Sequence, residues 1–277
     1  SEAIGLEIDL VEHEVPAGSF TVDLFGKDLN SNRNVVIENQ LGPTDHTHLG
    51  QLITYAANLE AGIVIWIATE FRQEHQSALD WLNKIKDPKH ASFFGIQLEL
   101  LQIDNSRPAP NFKIVVYPSE WLPEITPEIT KKQQAYLEFF TALLRELKTR
   151  SPRITSARKA YAQNWFSFGA GKSGFSYSLS FTLDNRFRVE LYIDTGNKEK
   201  NKQAFKYLEN QREDIEEELG YPLSWEELPN ARACRIAVYK DGNIFSSEEE
   251  LASLRKWGID RILEFRKTFT KRISTFK

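Results

Sequence analysis

Residues 20–55 read FTVDLFGKDLNSNRNVVIENQLGPTDHTHLGQLITY, and this stretch decides how the first half of the chain is interpreted. Its pattern predicts a strand, a polar turn, a second strand and a helix. Asp23 and Glu38 stand among aliphatic and β-branched residues of the two strands. Because an unpaired carboxylate is costly to bury, we expect a compensating partner. A divalent cation with oxygen ligands meets that need.

The spacing of the polar residues suits such a cation. Neighbouring strands lie about 4.8 Å apart, so Asp23 and Glu38 can share one ion. The period-two rule places Gln40 on the same face as Glu38. Gln51 and Tyr55 lie one turn apart on the helix, where they suit contacts to a phosphate backbone or a scissile group. A bound ion would lower the pKa of its water and neutralise a phosphate.

This layout resembles the PD-(D/E)XK nuclease superfamily, in which a strand Asp is followed by (D/E)-x-K on the next strand and then by a helix. The segment Gln51-Leu-Ile-Thr-Tyr55 resembles the Gln-x-x-x-Tyr helix of the RecB-like branch. The combination IENQ…TDHTHLGQLITYAA, followed by a basic domain, also resembles an uncharacterised family of bacterial proteins with this two-part build. The nuclease pattern covers roughly residues 1–70, and the two-part pattern covers nearly all of the chain.

The resemblance implies a restriction-endonuclease-like fold, an α/β mixed central sheet flanked by helices. It implies Mg²⁺- or Mn²⁺-dependent hydrolysis of phosphodiester bonds, with DNA as the expected substrate and a role in restriction or phage defence. It also implies a homodimer, by analogy. The superfamily lysine is replaced here by Gln40, although some members resemble this chain in using Gln or Glu there. The first helix of the fold often supplies another acid, and Glu2 suits that position as a third metal ligand.

The charge of the chain divides at a Pro-rich segment. Residues 1–130 carry 8 Lys and Arg against 19 Asp and Glu, whereas residues 131–277 carry 27 against 20. The segment 118–130 (PSEWLPEITPEIT) predicts a linker. We therefore expect a nuclease-like domain at 1–122 and a basic α+β domain at 131–277, for nucleic-acid binding or dimerisation. Equally, the two halves could simply attract each other.

Composition predicts an intracellular protein. Cys234 is the single cysteine, which fits a reducing, cytoplasmic location. No apolar run is long enough to cross a membrane, and no secretory signal begins the chain. Met is absent even at position 1, so we expect that the native start was removed or replaced.

In the basic half, four cations are candidates for nucleic-acid contacts. Lys172 lies in a glycine-rich hairpin, FGAGKSG, and Arg153, Arg158 and Lys159 follow the first long helix. The hairpin is not a Walker A loop, because its first glycine is missing and a strand follows it. Further along, the pattern predicts one helix over residues 197–219.

Each site also has an interpretation in which its residues have only a structural role. Asp23 and Glu38 could be solvated strand residues, and Gln51 and Tyr55 could complete a helix surface. Residues 44–48 (TDHTH) are explained by helix capping through Thr44 or Asp45, which leaves the two histidines peripheral. For the whole chain, the competing hypothesis is a catalytically silent nucleic-acid-binding or scaffold protein.

Overall fold

The computed structural model describes residues 3–85, 90–102, 104, 107–118, 130–229 and 231–276. The chain divides into two compact units. The first takes the described residues up to 118, except Gly5–Asp9 and Leu29–Ser31, which belong with residues 130–276 in the second. Most of the predicted linker, residues 119–129, lies outside the described residues, as does the predicted metal ligand Glu2.

The first unit is built on a six-stranded mixed sheet whose strands follow one another in sequence order. The strands are β1 (Ile8–Ala17), β2 (Phe20–Asp28), β3 (Asn34–Pro43), β4 (Ala61–Glu70), β5 (Ser92–Leu101) and β6 (Ala109–Val116). β3, β4 and β5 are parallel, whereas β2 and β6 pair antiparallel with β3 and β5. Helices α1 (His46–Asn58) and α2 (Gln73–Leu82) make the crossovers between the parallel strands. The predicted α/β class is confirmed at this level.

The core of the first unit holds α1 against β3 and β4. β4 is almost continuously apolar, as expected for a strand with parallel neighbours on both sides. Trp66 of β4 is fully buried, and Tyr55 and Leu52 of α1 pack in the same cluster. Large apolar side chains of this kind contribute about 1.5–3 kcal/mol each when buried. This packing fixes the helix beside the strands that carry Asp23 and Glu38.

The second unit combines four helices with a five-stranded antiparallel sheet. The helices are α3 (Lys131–Arg150), α4 (Lys198–Glu209), α5 (Arg212–Leu219) and α6 (Glu248–Thr275). The strands are β7 (Trp165–Gly169), β8 (Phe175–Phe181), β9 (Arg186–Ile193), β10 (Ser224–Glu226) and β11 (Cys234–Asp241), in the spatial order β10-β11-β9-β8-β7.

One face of this sheet is aromatic and aliphatic, and it packs against the long helices. Phe187 and Leu179 are buried on this face, with Phe139 of α3 and Phe265 of α6 in the same cluster. α3 and α6 both begin with capping boxes, at Thr130 and Ser247 respectively, so their starts are encoded locally. In the described part of the chain, no helix is both long enough and apolar enough to pass through a bilayer.

The segments Gly5–Asp9 and Leu29–Ser31 are attached to the rest of the second unit through buried polar side chains. The Oε1 atom of Glu7 accepts hydrogen bonds from the hydroxyl of Thr155 at 2.6 Å and from the backbone N–H groups of Ser156 and Ala157. The side chain of Asn30 accepts from the backbone N–H of Ser167 at 3.0 Å. Glu7 is thereby occupied by a structural role.

Two local predictions were wrong. The expected single helix over residues 197–219 is two helices, because α4 ends at Glu209, the N–H of the following Asn210 bonds back to α4, and α5 begins after Gln211. The three-residue strand β10 was not predicted, since so short a segment has no readable period.

Candidate functional site

Asp23 and Glu38 are neighbours on adjacent strands. The antiparallel register pairs Leu24 with Ile37, so the next positions along β2 and β3 are Asp23 and Glu38. The backbone N–H of Asp23 lies 3.5 Å from Oε2 of Glu38. Oδ2 of Asp23 accepts from the backbone N–H of Asn39 at 2.8 Å. The two carboxylates predicted to share an ion are therefore next to each other.

The environment of Glu38 disfavours its charge. Its residue surface is only 6% exposed, and its register partner on β4 is the buried Trp66. Burial, followed by the negative charge of Asp23, raises the pKa of Glu38 to about 7, while the N–H of Asp23 and the charge of His48 act in the opposite direction. A cation beside the pair would remove this conflict between neighbouring negative charges.

The side chain of Gln40 is held by three partners. Its Oε1 accepts from the indole N–H of Trp66 at 3.2 Å. Its Nε2 donates to the carbonyl of Pro43 at 2.7 Å and to Oδ2 of Asp45 at 2.8 Å. Gln40 therefore links the core to the beginning of α1.

Asp45 and His48 form a hydrogen-bonded pair at that helix start. Asp45 is the N-cap of α1 and accepts from the backbone N–H of His48 at 2.8 Å, so the capping prediction is confirmed for Asp45. The same carboxylate lies 2.9 and 3.0 Å from Nδ1 of the His48 ring. The hydrogen bond from the His48 N–H is the largest of the interactions that lower the pKa of Asp45. Asp45 thus both caps the helix and orients the imidazole.

Two further histidines of the first unit, His46 and His75, lie next to each other. Nδ1 of His75 is 2.7 Å from the hydroxyl of Thr44, and its Nε2 is 3.0 Å from Nδ1 of His46. The hydroxyl of Thr44 also accepts from the backbone N–H of Arg72 at 3.0 Å. Burial, followed by the neighbouring His46, lowers the pKa of His75. This chain of groups joins the start of α1 to α2, with the His75 imidazole at its centre.

The two predicted residues of α1 differ in their surroundings. Tyr55 is 1% exposed, and its hydroxyl donates to the backbone carbonyl of Thr21, two residues before Asp23, at 3.0 Å. Burial, then the charges of Glu38 and Asp23, raise the pKa of Tyr55. Gln51 is half-buried, one turn earlier on the helix. Tyr55 therefore ties α1 to the strand that carries Asp23.

The donor set fits a cation that keeps part of its own hydration. Across the described residues, no group of three or more His, Cys, Asp and Glu side chains is arranged to hold a metal ion. Mg²⁺ commonly takes only one or two carboxylates and fills its remaining positions with water or substrate oxygens. Asp23 and Glu38 match that pattern, whereas the described residues contain no metal cage built from protein side chains alone.

The basic residues of the second unit that were predicted to contact nucleic acid have different surroundings. Lys172 donates to the carbonyl of Phe276 and lies 5.3 Å from the centre of its ring. Arg153, Arg158 and Lys159 are exposed in the loop after α3, with the ammonium of Lys159 lying 5.6 Å from the ring of Tyr161. Their contact with nucleic acid stays a prediction.

Sequence reasoning did not find the Asp45–His48 pair as a chemical group. The segment TDHTH was explained by capping alone, and capping does account for Asp45. The signal was an acid at the N-cap with a histidine three residues later, an arrangement in which the backbone N–H and the ring of the histidine can both reach the carboxylate.

Comparison with known proteins gives a family match within the second unit only. The model of a family described as a domain of unknown function (DUF4268) matches residues 135–273, half of the chain, from α3 to the end of α6. The comparison with curated proteins and the comparison with solved structures gave no match.

Proposed function

Because the chain belongs to the DUF4268 family, whose description assigns no activity, we propose from the site itself that the first unit is a metal-dependent nuclease. The reaction is hydrolysis of phosphodiester bonds, with DNA as substrate. The observation that carries the proposal is the juxtaposition of Asp23 and Glu38 on β2 and β3, immediately before α1. This order of strand acid, strand acid and helix supports a restriction-endonuclease-like fold for the unit.

Asp23 and Glu38 would hold Mg²⁺ or Mn²⁺. When bound, such an ion supplies positive charge to the phosphate and lowers the pKa of a coordinated water. Asp23 keeps one carboxylate oxygen for this purpose while the other accepts from Asn39. Glu2, the predicted third ligand, lies outside the described residues.

His48 takes the proton of the attacking water in this proposal. Asp45 accepts from the Nδ1 side of the ring, which leaves Nε2 as the basic nitrogen of the neutral imidazole. Among the described residues nothing hydrogen-bonds to Nε2. Gln40 lies two positions from Glu38 on the same face of β3 and bonds to Asp45, so it sets the pair beside the carboxylates. Gln40 is then a positioning residue. His48 activates the attacking water in place of the lysine of the superfamily pattern.

Gln51 and Tyr55 complete the proposed site. Gln51 contacts the substrate strand from the half-buried side of α1. Tyr55 acts on β2 through the Thr21 carbonyl, which keeps Asp23 in place. A cytoplasmic location, a homodimeric state and a role in restriction or phage defence belong to the same proposal.

The second candidate function is a catalytically silent nucleic-acid-binding or scaffold protein with the same fold. The observation that favours it is Gln40, because a neutral amide bonded to Trp66, Pro43 and Asp45 supplies no positive charge to the site.

Plasmid cleavage decides between the two functions. The protein is incubated with supercoiled plasmid and Mg²⁺ or Mn²⁺, beside the Asp23→Ala and Glu38→Ala variants. Cleavage by the wild type that both substitutions abolish supports the nuclease. Absence of cleavage with every divalent ion overturns it, and cleavage that survives both substitutions overturns the assignment of the site.

A further inference from the structure

The second unit contains an open cleft that none of the predicted contact residues line. Its volume is about 550 Å³. The residues that line it are Arg186, Tyr221, Pro222, Ser224, Ala237, Val238, Tyr239, Trp257 and Arg261. The cleft lies between α6, the segment that follows α5, and the strands β9 to β11. Its lining contains two arginines and three aromatic rings but no carboxylate.

Each arginine of the cleft is stacked on a tyrosine. The guanidinium of Arg186 lies 4.1 Å from the ring centre of Tyr239, and that of Arg261 lies 4.4 Å from the ring centre of Tyr221. Stacking of this kind holds the guanidinium plane while leaving its edge available as a hydrogen-bond donor. The two pairs come from different elements and converge on one cleft.

Carboxylates anchor these pairs from outside the lining. The hydroxyl of Tyr221 donates to Glu264 at 2.9 Å, and the same carboxylate lies 3.0 Å from one terminal nitrogen of Arg261. Arg186 is bonded to Asp184 at 2.7 Å. Nε of Arg261 is buried and has no hydrogen-bond partner among the described residues. Because Nε is buried, a ligand would reach Arg261 through the terminal nitrogens of its guanidinium.

A second hollow continues the cleft along α6. It has a volume of about 320 Å³, shares Arg261 with the first, and adds Arg150 and Lys267. Asp260 and Glu264 also line it, so its positive charge is partly balanced. Exposed Lys267 lies nearly three turns from Trp257 on the same helix. Cations thus continue along α6 from the aromatic cleft.

We propose that this cleft binds a nucleotide, with the base against Trp257 and the phosphate on the terminal guanidinium nitrogens of Arg261 and Arg186 that Glu264 and Asp184 do not occupy. A flat ring with an attached anion matches both features of the lining, since every base has a face for stacking and arginine donors suit phosphate. The inference takes its partner class from the proposed nuclease function and deepens it. The nucleotide can come from a single strand, whose next phosphates reach Arg150 and Lys267, or from the free monomer.

Binding without cleavage tests the inference. A fluorescein-labelled twelve-residue thymidine oligonucleotide is titrated with the full chain in EDTA, and thymidine monophosphate is used as the competitor. We expect Arg261→Gln and Arg186→Gln each to weaken binding about tenfold. Each should also reduce the slope of log affinity against log salt by about 0.7. Trp257→Phe should weaken binding about fivefold or more.

Two further variants separate charge from fold. Arg261→Lys keeps the charge but loses the stacked plane, so it should bind more weakly than the wild type. Arg232→Gln is the matched control, because exposed Arg232 pairs with Asp194 outside the cleft; it should bind within twofold of the wild type. Each variant is first checked for an unchanged melting temperature.

The outcomes are distinct. Competition by the monophosphate at the oligonucleotide's own affinity identifies a free nucleotide as the ligand, and tight binding of the oligonucleotide alone identifies a strand. Equal binding by wild type, Arg261→Gln and Arg186→Gln overturns the inference, as does no binding of either probe. If the wild type never cuts DNA but Arg261→Gln still loses binding, the cleft is confirmed as a nucleotide-binding site and the proposed nuclease function is wrong.

Discussion

The indole N–H of Trp66 donates to Oε1 of Gln40 at 3.2 Å, across 26 positions of sequence. Trp66 is fully buried at the centre of the first unit, so its N–H has to find a partner inside the protein. Since that bond fixes which end of the amide faces inward, Nε2 of Gln40 faces Pro43 and Asp45. The core thereby sets the position of Asp45 and, through it, of the His48 ring.

Gln40→Leu should lower the free energy of unfolding by about 1–3 kcal/mol, because it leaves the buried indole N–H of Trp66 without an acceptor. The measurement is urea unfolding of wild type, Gln40→Leu, Trp66→Phe and the double variant. In the Trp66→Phe background the Gln40→Leu change should cost about 1 kcal/mol less. An equal cost in both backgrounds would show that the bond contributes nothing.

Two substitutions of Asp45 should separate its structural role from its catalytic role. Asp45→Ala removes the N-cap and should cost about 1 kcal/mol of stability, whereas Asp45→Asn keeps a capping oxygen and should cost less than about 0.5 kcal/mol. Both should lower the cleavage rate about 100-fold or more, because Asp45→Ala no longer orients His48 and Asp45→Asn lacks the negative charge that stabilises the protonated imidazole. The checks are thermal unfolding and plasmid cleavage. A fully active Asp45→Asn variant would contradict the role given to His48.

His75 should reduce the stability of the first unit as pH drops below about 6.5, whereas Glu38, whose pKa is raised to about 7, should increase it over the same range. The pKa of His75 is lowered by burial, so the unfolded chain binds a proton more readily than the folded one. The contribution of His75 is complete above the unfolded pKa and is lost as pH falls from the unfolded pKa through the lower folded pKa. His46 and Arg72 oppose the protonation of His75, while Glu74 and Asp45 favour it.

Urea unfolding between pH 7.5 and 5 measures this dependence. His75→Gln has no titrating group at this position, so the wild type should lose stability relative to this variant as the pH falls over that range. Parallel curves for the two proteins would mean that His75 is not the group responsible.

Two glycine-to-alanine changes should have opposite signs. A Cβ on Gly258 of α6 would lie 2.7 Å from Phe187 and 2.9 Å from Leu179, both in the core of the second unit. The overpacking cost of about 1–3 kcal/mol should exceed the gain in helix propensity, which is about 1 kcal/mol. On Gly50 of α1 a Cβ meets nothing within 4 Å, so Gly50→Ala should stabilise by about 0.5–1 kcal/mol. Thermal unfolding of both variants checks the contrast.

Local chemistry made much of the first unit predictable from sequence. The period-two pattern of β2 and β3 placed Glu38 and Gln40 on one face, and the apolar stripe of α1 placed Leu52 in the core. Tyr55 was expected on the neighbouring stripe, and its burial was not predicted. The parallel β3–α1–β4 connection follows from a buried strand after an amphipathic helix. What was predicted well depends on residues close to one another in the chain.

Partners that are distant in sequence were not predictable. The bond between Trp66 and Gln40, and the pairing of His75 with His46, depend on how separate elements pack. Gly5–Asp9 joins the second unit because Glu7 accepts hydrogen bonds from residues 155–157, and no local pattern at Glu7 indicates those donors. The arginine–tyrosine cleft likewise forms from elements that sequence order does not bring together.

The most direct test of the central claim is the binding of Mn²⁺ to the free protein, followed by the electron paramagnetic resonance signal of the unbound ion. The account predicts one bound ion per chain for the wild type and loss of that ion in Asp23→Asn and in Glu38→Gln. Asp80→Asn, on the exposed side of α2, should bind Mn²⁺ as the wild type does. A wild type that binds no ion, or binding that survives both carboxamide substitutions, would contradict the assignment of Asp23 and Glu38 as a cation site.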